Sequence, residues 1–547
     1  MKFLSLIKNL EKRRVHFFLI LFFISLLFRL PTLFNDYYDV DELAAIVQVY
    51  EYLAGNIPGE DFDESKLPLY HAIFKLSYSL SYDKGFVIVH LFTIFIIFST
   101  SIYIFLIGVK LQDFHTGVLG AILYAILISS FNRHFMATNG EIVYNLPITA
   151  GLYYFIMYLS NRKWKRILFL LLFMVMGFAA AYVKIHGLIF FIFIALYTIV
   201  YYPYLTKRVN TKYILMVISI GLLLLIISIY LIDYSSITTH TQKIIAYLKT
   251  WIFYSTVRGF DPFIFIIKYA HRQGMLLLWH CVLWIPAIIY IIRFFNNRFK
   301  SDTPYESAVS LLFILSFLMV FSGGIRLYFH YFIAIYPSLC ILSSIALIKY
   351  KTRMICCLKQ RLTPLILIPS LFFLLWNTKD IIIKHYFPIG FYKEGKILYW
   401  TRTVLIGSFN DYLLPDSTYM EACNYIKEVT QPEDKIFVWG DGPYLYYFSE
   451  RRMGGKSLWL KNMIIHISNL YISGDPHSID LARIFEEYFI NIIETKKPVL
   501  FIDTSENGLS NFHLKPEALP LINKYIKKNY YYLNNINNIK IYRLKGN

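Results

Sequence analysis

The chain has 547 residues, of which 57% are hydrophobic and only 16% are charged. Soluble domains carry about 25% charged residues, so this composition excludes an ordinary soluble protein and indicates a membrane protein. The net charge is +19, and the five cysteines form no Cys-x-x-Cys pair, which argues against a structural zinc site or a disulfide framework.

Eleven apolar runs are long enough to cross about 30 Å of hydrocarbon, which takes roughly 17 to 25 helical residues. In chain order they are 15–34, 86–109, 115–131, 142–160, 167–183, 185–203, 213–233, 275–295, 307–325, 329–348 and 362–378. The first run follows a basic start, as in a signal peptide, but no small-residue cleavage site follows it. We therefore interpret this run as a retained anchor.

Basic and acidic loops alternate along these runs. The short basic loops, which are nearly free of acid, are 161–166, 206–212, 293–300 and 349–361. The long stretches 36–85 and 234–274 fall on the opposite side, and 36–85 concentrates acidic residues. The positive-inside rule then predicts a cytoplasmic N-terminus and an outside C-terminal segment. Most of the excess positive charge orients helices and faces anionic lipid, so nucleic acid is not expected as a partner.

The C-terminal segment, residues 385–547, loses the long apolar runs and has the pattern of a water-soluble α/β domain. Helical periodicity is found at 417–429 and near 516–528, and strand patterns at 435–440, 498–503 and 536–544. The sequence thus predicts a polytopic α-helical membrane protein with about 11 transmembrane helices. Its membrane module would comprise residues 1–384, and an extracytoplasmic α/β domain would comprise residues 385–547.

The first outer loop, residues 36–85, concentrates carboxylates at Asp39, Asp41 and Glu42, just before an amphipathic helix at about 42–54. Two adjacent carboxylates at a helix start suit a general base and a positioning acid. In the alternative interpretation, Asp41 only caps the helix and Glu42 is favourable in its first turn. These carboxylates also suit a divalent cation, because hard cations prefer oxygen ligands.

Cations and further polar residues occur at the same outer ends of the predicted spans. Lys66, beside a proline-containing turn, suits a lipid phosphate, although a lysine that only snorkels to the interface is the alternative. The other outer-edge candidates are Glu141, Lys184, Arg326 and His330. Several cations and carboxylates on one face of a membrane protein indicate a site for an anionic substrate that carries phosphate.

Several segments resemble the polyprenol-phosphate-sugar glycosyltransferases of the GT-C superfamily, in particular family 39, which includes protein O-mannosyltransferases and lipid A aminoarabinose transferases. Arg29-Leu30-Pro31 with Asp41-Glu42 resembles the first outer loop of that family. The other similar segments are SKLPLYH at 65–71, NGE at 139–141, GIRLYFHYFIAIYP at 324–337 and the stretch 425–457. The chain departs from the family at Leu67, where many members have proline, and at His71, where an aromatic or apolar residue is common.

The resemblance implies an inverting glycosyltransferase that moves a hexose or pentose from a polyprenyl-monophosphate donor to a hydroxyl acceptor outside a bacterial inner membrane. Asp41 would be the base, and Glu42 would position it or the sugar. The implied lipid-phosphate ligands are Lys66, Lys184, Arg326 and His330, and the implied sugar or acceptor contacts are Glu141 and Asp39. The family generally needs no catalytic metal or other cofactor, and the acceptor belongs to a protein, a lipid or a glycan.

The main alternative is a transporter or flippase of a lipid-linked sugar, which would also need outer cations and many spans. Transporters usually bind their substrate near the bilayer midplane, between repeated halves. In this sequence the ionisable residues are at helix ends and no internal repeat is visible, so the enzyme is favoured. An enzyme that makes the donor inside would need acidic cytoplasmic loops, and the predicted inner loops are basic.

Overall fold

The structure is a computed structural model that describes residues 14–34, 39–58, 60–63, 66–129, 133–206, 280–297, 303–320, 329–349, 417–507 and 512–546. The chain divides into two compact units. The helical unit comprises Met1–Asp36, Leu67–Tyr70 and Val87–Gly390, and the α/β unit comprises Tyr37–Lys66, His71–Phe86 and Phe391–Asn547. Most of the first outer loop therefore folds with the C-terminal segment.

Helices dominate the described residues before residue 350. They are α1 (Arg14–Arg29), α2 (Val40–Leu53), α3 (Pro68–Leu80), α4 (Gly85–Leu111), α5 (Phe114–Leu127), α6 (Arg133–Met136), α7 (Gly140–Ser160), α8 (Lys163–Val183), α9 (Ile189–Thr206), α10 (Cys281–Asn296), α11 (Pro304–Val320) and α12 (Tyr336–Lys349). Short 3-10 segments at Leu30–Leu33, Ile185–Leu188 and Phe329–Ile335 adjoin α1, α9 and α12.

Five helices of the described residues are long and apolar enough to cross a membrane, and each coincides with a predicted run. They are Arg14–Leu33, Gly85–Leu111, Gly140–Ser160, Trp164–Val183 and His330–Lys349. Four more predicted runs coincide with apolar helices of 10–17 residues. Three of these helices have 14 residues and are only about 21 Å long, so length alone does not make them spans; the fourth, Pro304–Val320, has 17 residues. The predicted runs 213–233 and 362–378 lie outside the described residues, and the number eleven stays a prediction.

The surface of the helical unit is apolar where a soluble protein would be polar. On α1, Val15, Leu19, Phe23 and Leu27 follow each other at four-residue spacing and are 69%, 52%, 62% and 57% exposed. Residues four apart lie on one face of a helix, so these side chains form a continuous apolar stripe. Such a stripe is stable against lipid and costly against water, in agreement with the predicted membrane location of α1.

Two glycines bring α4 and α5 into close contact. A Cβ on Gly108 would lie 2.6 Å from the Gly117 Cα atom, which is closer than real side chains approach. Small residues of this kind allow membrane helices to pack backbone against backbone. Any larger residue at either position would therefore separate these two helices.

A five-stranded sheet forms the centre of the α/β unit, in the order β2-β1-β3-β5-β4. The strands are β1 (Lys435–Trp439), β2 (Arg452–Met453), β3 (Leu500–Asp503), β4 (Tyr530–Ile536) and β5 (Ile539–Leu544). β2, β1 and β3 are parallel, whereas β5 runs antiparallel to both β3 and β4. The helices are α13 (Ser417–Val429), α14 (Pro443–Ser449), α15 (Lys461–Ser473), α16 (Pro476–Lys496) and α17 (Pro520–Asn529).

One face of this sheet packs on residues from the first outer loop. Ala44 and Val47 of α2, together with Phe62, belong to the same buried cluster as Ile436 and Val438 of β1. The cluster also contains Cys423, which is fully buried and whose thiol pKa is raised by burial to about 12. A thiol of this kind is inert at neutral pH, as expected for a small core residue.

Candidate active site

The helix that carries the predicted catalytic carboxylates, α2, begins at Val40. Asp39 occupies the N-cap position with extended backbone angles (φ −142°, ψ 150°), and its side chain makes no capping hydrogen bond. Asp41 and Glu42 follow in the first turn, where the helix dipole favours negative charge. The alternative in which Asp41 caps the helix is therefore wrong, because the N-cap position is two residues earlier, at Asp39.

Asp41 and Glu42 are adjacent in sequence but lie in different surroundings. Glu42 is fully buried, whereas the Asp41 side chain is 23% exposed. The Lys66 ammonium donates a hydrogen bond to the Asp41 carboxylate, with 2.8 Å between Nζ and Oδ2. Asp41 is thus the more accessible of the two carboxylates, and it has a cation as its direct neighbour.

Hydrogen bonds hold the loop between these two residues to the α/β unit. The Gln48 side-chain amide of α2 donates to the Asp63 carbonyl at 2.8 Å. The Asp63 amide in turn donates to the Lys456 carbonyl at 2.7 Å. Because Lys66 follows Asp63 by three residues, these bonds limit where its ammonium can lie. These two hydrogen bonds thus anchor the loop three residues before Lys66.

His71, a departure from the family pattern, is buried at the start of α3. Its ring packs near the Tyr52 ring, with 6.2 Å between their centroids. Burial and, to a smaller extent, the positive charge of Lys66 lower the pKa of His71 to about 4. The imidazole is therefore neutral at physiological pH, which avoids placing a second positive charge beside Lys66.

This burial predicts an acid-sensitive stability. The folded pKa of His71 lies below its ordinary value of 6.5, so the unfolded chain binds more protons between these values, and stability is lost as pH falls from about 6.5 toward 4. From pH 7 to pH 5 we expect the wild type to lose about 2 kcal/mol more than His71→Phe, which cannot be protonated. Denaturant unfolding of both proteins in detergent at each pH measures this difference. Equal losses would contradict the burial of a neutral His71.

A second acid–base pair lies in the helical unit. Glu141, in the first turn of α7, is almost fully buried and accepts a hydrogen bond from Lys184. Lys184 ends α8, and the chain turns back so closely that a Cβ on Gly187 would lie 2.1 Å from the Ala181 amide nitrogen. Only glycine fits this turn without movement of the backbone. The turn thereby holds Lys184 next to Glu141, and its ammonium also lies 4.9 Å from the centroid of the Tyr331 ring.

The remaining predicted residues of the helical unit are only partly described. His330 lies in the 3-10 segment before α12, and its ring centroid is 5.7 Å from that of His134. Arg326 lies outside the described residues. Arg29, which the resemblance includes in its first segment, is buried and donates to the Phe135 carbonyl at 2.5 Å. The structure thus joins Asp41 with Lys66 in one unit and Glu141 with Lys184 in the other.

Three residues that the sequence did not single out contribute to these surroundings. Glu51 lies on the buried face of α2. The signal in the sequence was an acidic residue on the apolar face of an amphipathic helix, where a carboxylate needs a partner. Tyr331 lies inside the segment 324–337, which resembles the family, but it was not predicted as a site residue. Ser316, one of three serines in the apolar helix α11, gave no signal in the sequence.

The fold is shared with solved membrane glycosyltransferases. The oligosaccharyltransferase AglB from Archaeoglobus fulgidus, in complex with an inhibitory peptide and a dolichol-phosphate, matches 96% of this chain and 73% of its own, with 12% identity and a TM-score of 0.54. ArnT from Cupriavidus metallidurans, bound to undecaprenyl phosphate, matches 96% of both chains, with 12% identity and a TM-score of 0.53. Another structure of the archaeal enzyme, in complex with Zn and sulfate, gives a TM-score of 0.53 at 12% identity over 94% of this chain and 71% of its own.

No family model matches the sequence, and no curated protein sequence matches it significantly. The structural likeness extends over nearly the whole chain and concerns proteins of the GT-C superfamily. The chain therefore has the GT-C fold, with membrane helices and a C-terminal sheet domain. Together with its apolar helices, this fold makes the chain an integral membrane protein.

Proposed function

We propose that this chain is an inverting glycosyltransferase that moves a sugar from a polyprenyl-monophosphate donor to a hydroxyl acceptor on the outer face of the membrane. The observation that carries the proposal is the pair of Asp41 and Lys66, 2.8 Å apart and each partly exposed. The pair sets a proton acceptor beside a cation that suits phosphate. The two substrates of the reaction need these two groups next to each other.

In the proposed reaction, the Asp41 carboxylate takes the proton of the acceptor hydroxyl. The hydroxyl oxygen attacks the anomeric carbon, and the bond from this carbon to the phosphate oxygen breaks. The electron pair of that bond leaves with polyprenyl phosphate, and attack from the opposite side inverts the anomeric configuration. Buried Glu42 would fix the orientation of the helix start that presents Asp41.

Cations would stabilise the charge that grows on the leaving phosphate. We assign this role to Lys66, Arg326 and His330. When the donor binds, Lys66 would exchange the Asp41 carboxylate for a phosphate oxygen, so that Asp41 becomes free to accept the proton only when donor is present. For Lys184, a predicted phosphate ligand, the bond to Glu141 favours contact with the sugar instead, and Asp39 would contact the acceptor or sugar.

The structural neighbours support the choice of donor. The ArnT structure contains undecaprenyl phosphate, and the AglB structure contains a dolichol-phosphate and an inhibitory peptide. Both enzymes thus hold a lipid phosphate of the chemical class proposed for this chain. We further propose eleven spans in a bacterial inner membrane, with a cytoplasmic N-terminus and a periplasmic C-terminal domain, as the distribution of basic loops predicts.

Incubation of the purified protein with a panel of polyprenyl-phosphate hexoses and pentoses and a mixture of hydroxyl acceptors tests the proposal. We expect release of free polyprenyl phosphate, and an acceptor that gains one sugar with inverted anomeric configuration. The assay is run with and without a chelator, because Asp39, Asp41 and Glu42 also suit a divalent ion. Movement of labelled donor across liposomes without release of lipid phosphate would instead favour the transporter alternative.

Lys66→Ala is expected to lower kcat/KM for the donor by about 10- to 100-fold, because a hydrogen bond between charged groups contributes about 1.5–3 kcal/mol. Lys66→Arg should restore part of the loss, since it keeps the charge. Lys84→Ala, which removes an exposed lysine of the same loop, is the matched control and should leave donor kinetics unchanged. Unchanged donor KM and turnover in Lys66→Ala would contradict the phosphate role.

A further inference from the structure

Helix α3 of the first outer loop exposes an apolar face. Leu69, Leu76 and Leu80 are 38%, 50% and 65% exposed. At 100° per residue, these three side chains lie within about 40° of one another around the helix axis. Lys75, the one charged residue of α3, lies about 100° away from Leu76, and its ammonium is 5.0 Å from the centroid of the Tyr52 ring. The three leucines therefore form a face, here called the leucine face, where a helix in water would carry polar side chains.

The opposite face of α3 packs on α2. The Tyr78 ring of α3 meets the Tyr50 ring of α2 edge to face, with 5.6 Å between their centroids. Helix α2 carries Asp41 in its first turn, and α3 begins at the second residue after Lys66. The depth at which α3 lies therefore sets the depth of both members of the Asp41–Lys66 pair.

The chain that follows α3 favours lipid as the occupant of the leucine face. Only residues 81–84 separate α3 from α4, which is long and apolar enough to cross a membrane, and a link of this length spans less than about 20 Å. Tyr82 in the link is 57% exposed and stacks on Tyr50 with 5.2 Å between the ring centroids. Tyrosine is enriched where membrane meets water. On α4 itself, Leu91 and Phe95 are exposed in the same way, so exposed apolar residues continue along the chain from α3 into a membrane helix.

We propose that the leucine face of α3 lies in lipid at the membrane–water interface and holds Lys66 at the level of the lipid phosphates. The helix has 13 residues and is about 20 Å long, too short to cross the hydrocarbon. An interfacial helix instead lies in the membrane plane with its apolar face about 5–10 Å deep. At this depth Lys66 meets the phosphate of a polyprenyl lipid without removing the lipid from the membrane. The second half of the proposal rests on the proposed function, because it takes Lys66 to bind that phosphate.

Photocrosslinking tests the membrane contact directly. The photoreactive residue p-benzoylphenylalanine replaces Leu76 or Leu80 in the full-length protein, which is reconstituted in liposomes of phosphatidylethanolamine and phosphatidylglycerol. After irradiation, mass spectrometry should find lipid adducts on the peptide that contains α3. Phe95 of α4 is the position for the positive control, and Lys524, exposed in α17, is the position for the negative control. Lipid adducts at Phe95 but at neither leucine position would overturn the proposal, as would cross-links from the leucine positions to a protein chain in place of lipid.

The double variant Leu76→Gln/Leu80→Gln tests the effect on Lys66. It should bind polyprenyl phosphate in nanodiscs about 3- to 10-fold more weakly than the wild type, because a smaller fraction of the protein holds Lys66 at the phosphate level. Ile472→Gln is the matched control, because Ile472 is an equally exposed apolar residue of the same unit, at 77%, in helix α15; its affinity should equal that of the wild type.

A double-mutant cycle separates positioning of Lys66 from a general disturbance of the loop. In a Lys66→Ala background, the two glutamines should weaken binding no further, because the cation that they displace is already absent. An affinity that the glutamines leave unchanged in the wild-type background would refute the positioning of Lys66 by this contact. An equal loss with and without Lys66 would refute it as well.

The outcomes separate the membrane contact from the proposed function. Lipid adducts at Leu76 and Leu80, without sugar transfer by the wild type from any donor, would keep the contact and refute the transferase. Sugar transfer by the wild type, without lipid adducts at these two positions, would keep the transferase and refute the contact.

Discussion

Asp41→Asn is expected to lower sugar transfer by about 10²- to 10⁴-fold, the range that a positioned general base contributes. Asparagine keeps the shape of the side chain but cannot take the acceptor proton. The loss should appear in kcat rather than in donor KM, since Lys66 stays available to the phosphate. The release of polyprenyl phosphate, measured at saturating and limiting donor, separates these two parameters.

The protein should remain folded in this variant. The Asp41–Lys66 pair is partly exposed, at 23% and 28%, and ion pairs of this kind contribute at most about 1 kcal/mol. Asp83→Asn is the control, because Asp83 is an exposed carboxylate in the same outer loop. Undiminished transfer by Asp41→Asn would refute Asp41 as the base. If transfer is instead lost only in Glu42→Gln, the base is Glu42.

Glu51→Ala is expected to destabilise the α/β unit by about 2–3 kcal/mol. Glu51 is 1% exposed, and its carboxylate accepts a hydrogen bond from the Met453 amide at 2.8 Å. It also bonds the Asn56 side chain and lies 3.8 Å from the Arg452 guanidinium. Alanine would leave a buried amide without its acceptor, which costs about 1–3 kcal/mol, and would remove the partner of a positive charge. Because Arg452 is 30% exposed, water can replace part of that partner.

Hydrogen exchange measures this effect at the site itself. The Met453 amide and the amides of α2 should exchange about 30- to 150-fold faster in Glu51→Ala, as the lost free energy requires. Glu51→Gln keeps an oxygen acceptor for the Met453 amide and should show a smaller effect. Glu433→Ala, at a position that is exposed in the same unit, is the control. Unchanged protection of the Met453 amide in Glu51→Ala would show that the contact does not stabilise the unit.

The Glu51 contacts also give the C-terminal segment a structural role. Glu51 and Asp41 belong to one helix, and ten residues of helix separate them by about 15 Å. Strand β2 and helix α14 both pack on α2 within the α/β unit. A displacement of this unit's core would therefore move the start of α2, where the proposed base lies. The C-terminal segment thus holds the helix of the first outer loop in position.

Local patterns were sufficient for many elements of the α/β unit. Helix α13 begins and ends where its periodicity predicted, at Ser417 and Val429. The predicted strand at 536–544 is instead a hairpin of β4 and β5. Asn537 and Asn538 adopt positive φ angles of 54° and 66°, which asparagine tolerates better than most residues and which two-residue hairpin turns require. The asparagine pair was the available signal for this turn.

Proline explains another difference between the predicted and the observed helices. The predicted helix at 516–528 is a 3-10 turn at Pro516–Ala518 followed by α17, which begins at Pro520. Proline fits the first position of a helix but removes a hydrogen bond from its interior, so the helix starts at the second proline rather than running through it. Helices α14, α15 and α16 were not predicted from the sequence.

The sequence by itself determined the properties that depend on neighbouring residues. Crossing hydrocarbon needs about 20 consecutive apolar residues, so the long apolar helices of the helical unit lie where apolar runs predicted them. The basic loops between the predicted runs account for most of the net charge. The same local reasoning predicted site residues at Asp41, Glu42, Lys66 and Lys184, because a charged side chain at a membrane boundary is costly without a partner.

Only the tertiary structure decided which of these charges are partners. Asp41 pairs with Lys66 across 25 residues, Glu141 with Lys184 across 43, and Glu51 with Met453 across 402. No periodicity encodes such separations, because they depend on how helices and strands pack after they form. Packing also made Glu42 buried and Asp41 accessible, although both occupy the same helical turn. The candidate residues follow from composition and position, but their partners follow from the fold.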